Sequence, residues 1–102
     1  MVIFPHTINV FVETLTTGFM ATATQSLLLT SEADAQPFHT YKLTEGVLNY
    51  DYVVYTPVFD TVIPEDALVD IVFSPTYTVK AIVKKFWMGQ LGGELYLLKR
   101  SN

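Results

Sequence analysis

A mostly-β domain, a small antiparallel barrel or sandwich of six short strands with one long inserted loop, is the fold class this sequence predicts. Three observations predict it. Period-two alternation dominates wherever a pattern can be read, and β-branched and aromatic residues fill the alternating positions. Proline and glycine steps punctuate the chain at hairpin-length intervals. A length of 102 residues suits one domain with a single core, read here as residues 1–102.

The first strand is expected over Thr7 to Glu13, where Ile8, Val10 and Val12 share a face. Thr17-Gly18 then makes a turn, and a second strand is expected from Phe19 to Leu29. From Thr30 to Gly46 the alternation breaks, so residues 30–46 read as the long loop. Within it Ser31 to Gln36 suits one helical turn, with Ser31 as N-cap, Asp34 at the third helical position and Pro37 as the stop.

Val47 to Val58 carries the richest strand signal, and Thr56-Pro57 ends it, because proline cannot donate to a central ladder. Ile63-Pro64-Glu65-Asp66 reads as a turn with Pro64 at its first corner. Ala67 to Phe73 alternates again and is the fourth strand. Tyr77 to Met88 is the fifth, with Tyr77, Val79, Ala81 and Val83 on one face and a bulge expected at Lys84-Lys85, where the alternation stumbles. Gly89 to Gly93 supplies a hairpin connection, and Glu94 to Lys99 returns as the sixth strand.

Half of the residues are apolar, 14% are aromatic and only 16% are charged, which is greasy for a domain of this size. Part of that surface is expected to be covered by a partner, so an oligomer is expected. No cysteine is present, which excludes disulfides, thiolate metal sites and thiol nucleophiles and permits a reducing compartment. No stretch approaches the length of a membrane span and the first residues lack a signal-peptide pattern, so the expectation is a soluble, intracellular protein with no membrane partner.

Charge is divided along the chain. Residues 1–70 hold nine acidic groups and one basic group, Lys42, for 1 − 9 = −8; residues 71–102 hold five basic groups and Glu94, for 5 − 1 = +4. Either folding interleaves these segments into one mixed surface, or opposite patches meet between neighbouring copies.

Chemistry-bearing constellations are sparse. His6 and His39 lack ligand spacing, no nucleophile-elbow pattern surrounds Ser26, Ser31, Ser74 or Ser101, and Gly89 to Gly93 lacks the lysine and helix of a phosphate loop. Asp60, Glu65, Asp66 and Asp70 do not follow a calcium-loop pattern. No catalytic residue, cofactor or metal is assigned, and the protein is not expected to be an enzyme. Lys80, Lys84, Lys85, Phe86, Trp87 and Tyr77 would supply a basic aromatic face for single-stranded nucleic acid, while the pI near 4.9 opposes that use.

Between Tyr50 and Arg100 the order of features carries a family resemblance. Val53-Val54-Tyr55-Thr56-Pro57 ends a strand, a link follows with Asp60, Ile63 and Asp66, Tyr77-Thr78-Val79 opens the next long strand, and a terminal hairpin closes on Tyr96-Leu97-Leu98. In this half of the chain the sequence resembles the head-closure, or stopper, family of siphovirus head-to-tail connectors. The resemblance implies a virion structural protein of the neck, assembled in the host cytoplasm, that closes the portal channel after DNA packaging and docks the tail. Its implied partners are its own copies in a ring of six or twelve, a portal or adaptor ring above, a tail terminator or tail tube below, and the packaged DNA in the channel. Glu32, Asp34, Pro37, His39, Lys42 and Glu45 become channel-loop candidates, and Tyr55, Phe59, Lys84, Lys85 and Trp87 interface candidates. The adaptor or tail-terminator layer of the same neck and a small single-stranded nucleic-acid-binding barrel are the alternatives.

Overall fold

In the computed structural model, residues 3–15, 23–37, 42–43, 46–47 and 50–100 are described. Eight strands are present: β1 (His6–Leu15), β2 (Ala23–Pro37), β3 (Lys42–Leu43), β4 (Gly46–Val47), β5 (Tyr52–Thr56), β6 (Leu68–Ser74), β7 (Tyr77–Met88) and β8 (Gly93–Lys99). Six of them close an antiparallel barrel in the order β1-β2-β5-β8-β7-β6, with β6 pairing back onto β1, and β3 and β4 form a separate two-stranded hairpin between β2 and β5. The fold is the expected all-β barrel, without helix among the described residues.

Side chains fill the interior. Ile8, Val10, Val54, Val69, Ile71, Val83, Leu95 and Leu97 are fully buried, one or two from almost every wall strand. Burying each such aliphatic side chain favours folding by about 1.5–3 kcal/mol, so this contiguous core is the main source of stability. Phe59, Ile63 and Ala67 of the link after β5 pack on it, and two backbone bonds, Asp66 N–H to Val83 O (2.8 Å) and Val83 N–H to Ala67 O (2.9 Å), tie that link to β7.

The expected loop from Thr30 to Gly46 requires correction. Residues 30–37 are strand, not loop or helical turn, and the helical turn with Ser31 as cap is absent. Alternation does run through this segment, with Ala33 and Ala35 buried and Glu32 and Gln36 exposed. The inward positions hold alanine, a strong helix former and a weak strand former, so propensity pointed the wrong way and packing inside the barrel overrode it. Pro37 stands at the last position of β2, opposite Tyr52, where its missing N–H costs no interior ladder bond. Past the end of β1, the Ala35 N–H finds the His6 imidazole instead, donating to Nδ1 at 3.0 Å, so His6 completes the β2 ladder.

Two smaller corrections concern boundaries. The third expected strand is shorter, Tyr52–Thr56, and Val47 belongs to β4. The Pro64 turn is displaced by one residue: Ala67 N–H bonds Pro64 O at 3.2 Å, which puts Pro64 before the first corner and Asp66, with φ of 69°, at the second. The Thr17-Gly18 turn and the start of the expected second strand lie outside the described residues.

Beyond Phe11, β1 leaves its pairing with β6, and Val12–Leu15 and Ala23–Ser26 pair only with each other among the described ladders. The hairpin therefore runs on as a two-stranded arm. A register shift between Val10 and Phe11 marks the point of departure, and Leu27 beside it is exposed.

Candidate functional site

The bulge read from Lys84-Lys85 is present as a register shift between Val83 and Lys85 in the β7–β8 ladder. Its consequence is directional. Val79, Ala81 and Val83 face the interior; without the extra residue Trp87 would follow them inward, whereas after it Phe86 packs on the core and Trp87 points out.

Outward, Trp87 lies opposite Glu94 of β8, Glu94 lies opposite Tyr55 of β5, and Tyr55 lies opposite Asp34 of β2. Four adjacent strands thus present one row of alternating aromatic and carboxylate side chains: Trp87, Glu94, Tyr55, Asp34. Trp87 is 56% and Tyr55 38% exposed. Phe4 and the hairpin residue Leu91, which is 99% exposed, stand over this row and complete an open groove of about 790 Å³.

Glycines shape the groove wall. Gly89 N–H bonds Gly92 O at 2.9 Å and closes the β7–β8 hairpin, while the Trp87 indole lies over Gly89 where a Cβ would stand. Gly92 has φ of 144°, and a Cβ there would strike the Thr56 carbonyl oxygen, so only glycine fits. Tyr55, Thr56 and Pro57 divide the work at this strand end. Tyr55 enters the groove, Thr56 is buried beneath the hairpin with its hydroxyl donating to Pro57 O at 2.9 Å, and Pro57 stops the strand.

Neither groove carboxylate takes part in an ion pair among the described residues. Glu94 Oε2 accepts the Tyr96 hydroxyl at 3.0 Å, and Asp34 Oδ2 accepts from Gln36 at 3.1 Å. Burial first, then the bond to Glu94 and its charge, raise the Tyr96 hydroxyl above the ordinary tyrosine value. The next row along the same wall is Gln36, Val53, Tyr96 and Lys85, with the Lys85 ammonium 5.8 Å from the Tyr96 ring.

The remaining candidates distribute as follows. Phe59, half-buried, stacks on Phe86 at 5.9 Å and packs on the core. Lys84 pairs with Asp66 at 2.9 Å, and the same bond raises its ammonium above the usual lysine value. Glu32 is exposed on β2, Asp34 has moved from the channel loop into the groove, Pro37 ends β2, and Lys42 lies on β3. His39 and Glu45 lie outside the described residues. Gln90, Leu91 and Phe4 escaped the sequence reading, although an exposed leucine between glycines in a hairpin was the available signal. Among the described residues no group of three histidine or acidic side chains is arranged to hold a metal ion.

Part of the divided charge meets within the fold. Asp70 of the acidic half meets Lys80 at 3.9 Å and Arg100 at 3.2 Å, and Asp66 meets Lys84, so three of the basic residues of the last third are engaged inside their own barrel. No protein-family profile, curated protein or solved structure matches this chain. Fold and groove together describe a closed six-stranded barrel with a buried aliphatic core and an open groove on its outer wall.

Proposed function

We propose that this chain is a structural subunit that acts by docking, and that it serves as the head-closure ring of a tailed-phage neck, closing the portal channel after packaging and joining the tail. One observation carries the docking reading: aliphatic side chains form a contiguous buried core inside the barrel, while Trp87, Tyr55 and Leu91 are exposed together on the outer wall. Buried side chains of the wall strands occupy the described interior, so this reading places recognition on the surface. The β1–β2 arm supplies a second and different surface, and a closed ring requires two unlike surfaces on each subunit. The neck assignment adds the resemblance of the Tyr55-Thr56-Pro57 strand end and the terminal hairpin.

With residues 30–37 built into the barrel wall, the channel-lining element of this reading contracts to the β3–β4 hairpin, Lys42–Leu43 and Gly46–Val47. The nucleic-acid alternative fits less well. Asp34 and Glu94 stand among the exposed aromatics, where they would repel the phosphates of a stacked strand.

The test is localisation. In particles purified from cells that make this chain, a gold-labelled antibody against it is expected at the junction of head and tail. Label on the head shell, or none on particles, overturns the neck reading.

A further inference from the structure

We infer that the groove is a seat for a basic segment of another protein, one whose arginine or lysine side chains stand about three residues apart with apolar residues between them; the inference rests on reading the outer wall as a docking surface. The row Trp87, Glu94, Tyr55, Asp34 crosses four strands. Neighbouring strands are about 4.8 Å apart, so the two carboxylates stand roughly 10 Å from each other with the Tyr55 ring between them. A cation above this row meets an aromatic face and a carboxylate at once, and the two attractions reinforce each other away from bulk water. Three residues of a polyproline II segment advance about 9 Å and bring the side chain back to the same face, close to the separation of Glu94 and Asp34. Phe4 and Leu91 flank the row and match apolar side chains between the cations.

Charge also argues against a second copy as the occupant. Groove against groove would set carboxylates against carboxylates. Of the basic residues in the last third, Lys80, Lys84 and Arg100 are already paired with Asp70 and Asp66, and Lys85 lies over Tyr96 on the groove's own wall. Lys99 is exposed without an ion pair among the described residues, one cation where the row calls for two. Asp34 and Glu94, by contrast, have no cation among the described residues.

Trp87 is the single tryptophan of the chain, so its emission reports the groove directly. The probe is the acetylated, amidated peptide Gly-Arg-Leu-Pro-Arg-Leu-Gly, set beside its counterpart with both arginines replaced by glutamate. Saturable change in Trp87 emission is expected with the arginine peptide, weakening steeply with added salt, and none with the glutamate peptide. The double variant Asp34→Asn, Glu94→Gln is expected to lose about tenfold or more in affinity, since both charge-assisted contacts become neutral. Glutamine at 94 can still accept the Tyr96 hydroxyl, and unchanged circular dichroism confirms an intact barrel.

Unchanged emission up to millimolar peptide, equal response to the glutamate peptide, or equal affinity in the double variant overturns the inference. So does self-association without peptide, seen by light scattering together with the same emission change, because that seats a second copy in the groove. Peptide binding by a protein absent from the neck would sink the connector reading alone. A protein found at the neck that ignores the peptide would sink this one alone.

Discussion

On the β6–β7 wall Asp70 holds Lys80 and Arg100 and Asp66 holds Lys84, whereas across β2, β5 and β8 Asp34 and Glu94 stand beside exposed aromatics without an ion pair among the described residues. Both walls belong to one barrel and share one core, so the difference lies in what each outer face leaves unmatched. The first face satisfies its charges internally, which contributes modestly to stability and offers little to a partner. The second keeps carboxylates and rings available, and the proposed docking draws on that availability.

The largest break in this comparison is expected from Gly92→Ala. A Cβ at φ of 144° strikes the Thr56 carbonyl and deforms the groove wall while leaving the β6–β7 ion pairs alone. A loss of about 2–3 kcal/mol is expected, and a melting temperature lower by roughly 10 °C or more in a thermal scan checks it. Asp70→Asn breaks the paired wall instead. It is expected to cost about 1 kcal/mol by urea unfolding, because the Arg100 contact is partly buried and the Lys80 contact is long and exposed.

Asp34→Asn with Glu94→Gln sharpens the contrast from the other side. Stability is expected to change by less than about 0.5 kcal/mol, since neither carboxylate has a cation to lose. A loss comparable to that of Asp70→Asn would erase the distinction between the walls.

The smallest effect is a titration. Tyr96 on the groove wall and Tyr52 beside Phe73 both ionise above the ordinary 10.0, burial being the first cause in each. A raised folded value means that the neutral hydroxyl is favoured in the folded state. This contribution is therefore full below about pH 10 and is lost as pH rises through the raised values. Ultraviolet absorbance should show tyrosinate forming late, and Tyr96→Phe should remove one late step.

Much of the barrel was legible because strands announce themselves locally. Ile8 and Val10, Val69 and Ile71, and Val79 to Val83 alternate as expected, and these positions are the ones that point inward. Thr56-Pro57 ends β5, Lys84-Lys85 marks the β7 bulge, and Gly89 to Gly93 turns the last hairpin. The failure at residues 30–37 has a specific cause: Ala33 and Ala35 fill interior positions with helix-favouring residues, and only the barrel's interior explains their use in a strand. Of the groove, the sequence offers Tyr55 and Trp87 as interface candidates through the resemblance, Asp34 as a loop residue and Glu94 as a strand residue alone.

Periodicity and turn chemistry act over a few neighbouring residues, so the chain alone carries most of the strands, residues 30–37 excepted, most of their ends, and the bulge just before Trp87. Only the tertiary structure decided that Asp34, Tyr55, Glu94 and Trp87 share one row. It also decided that the acidic and basic halves neutralise each other at Asp70 and Asp66. Alternation states inside or outside for each residue, but which outside residues become neighbours depends on strand order and register around a closed barrel, and those are set by long-range hydrogen-bond ladders and a common core.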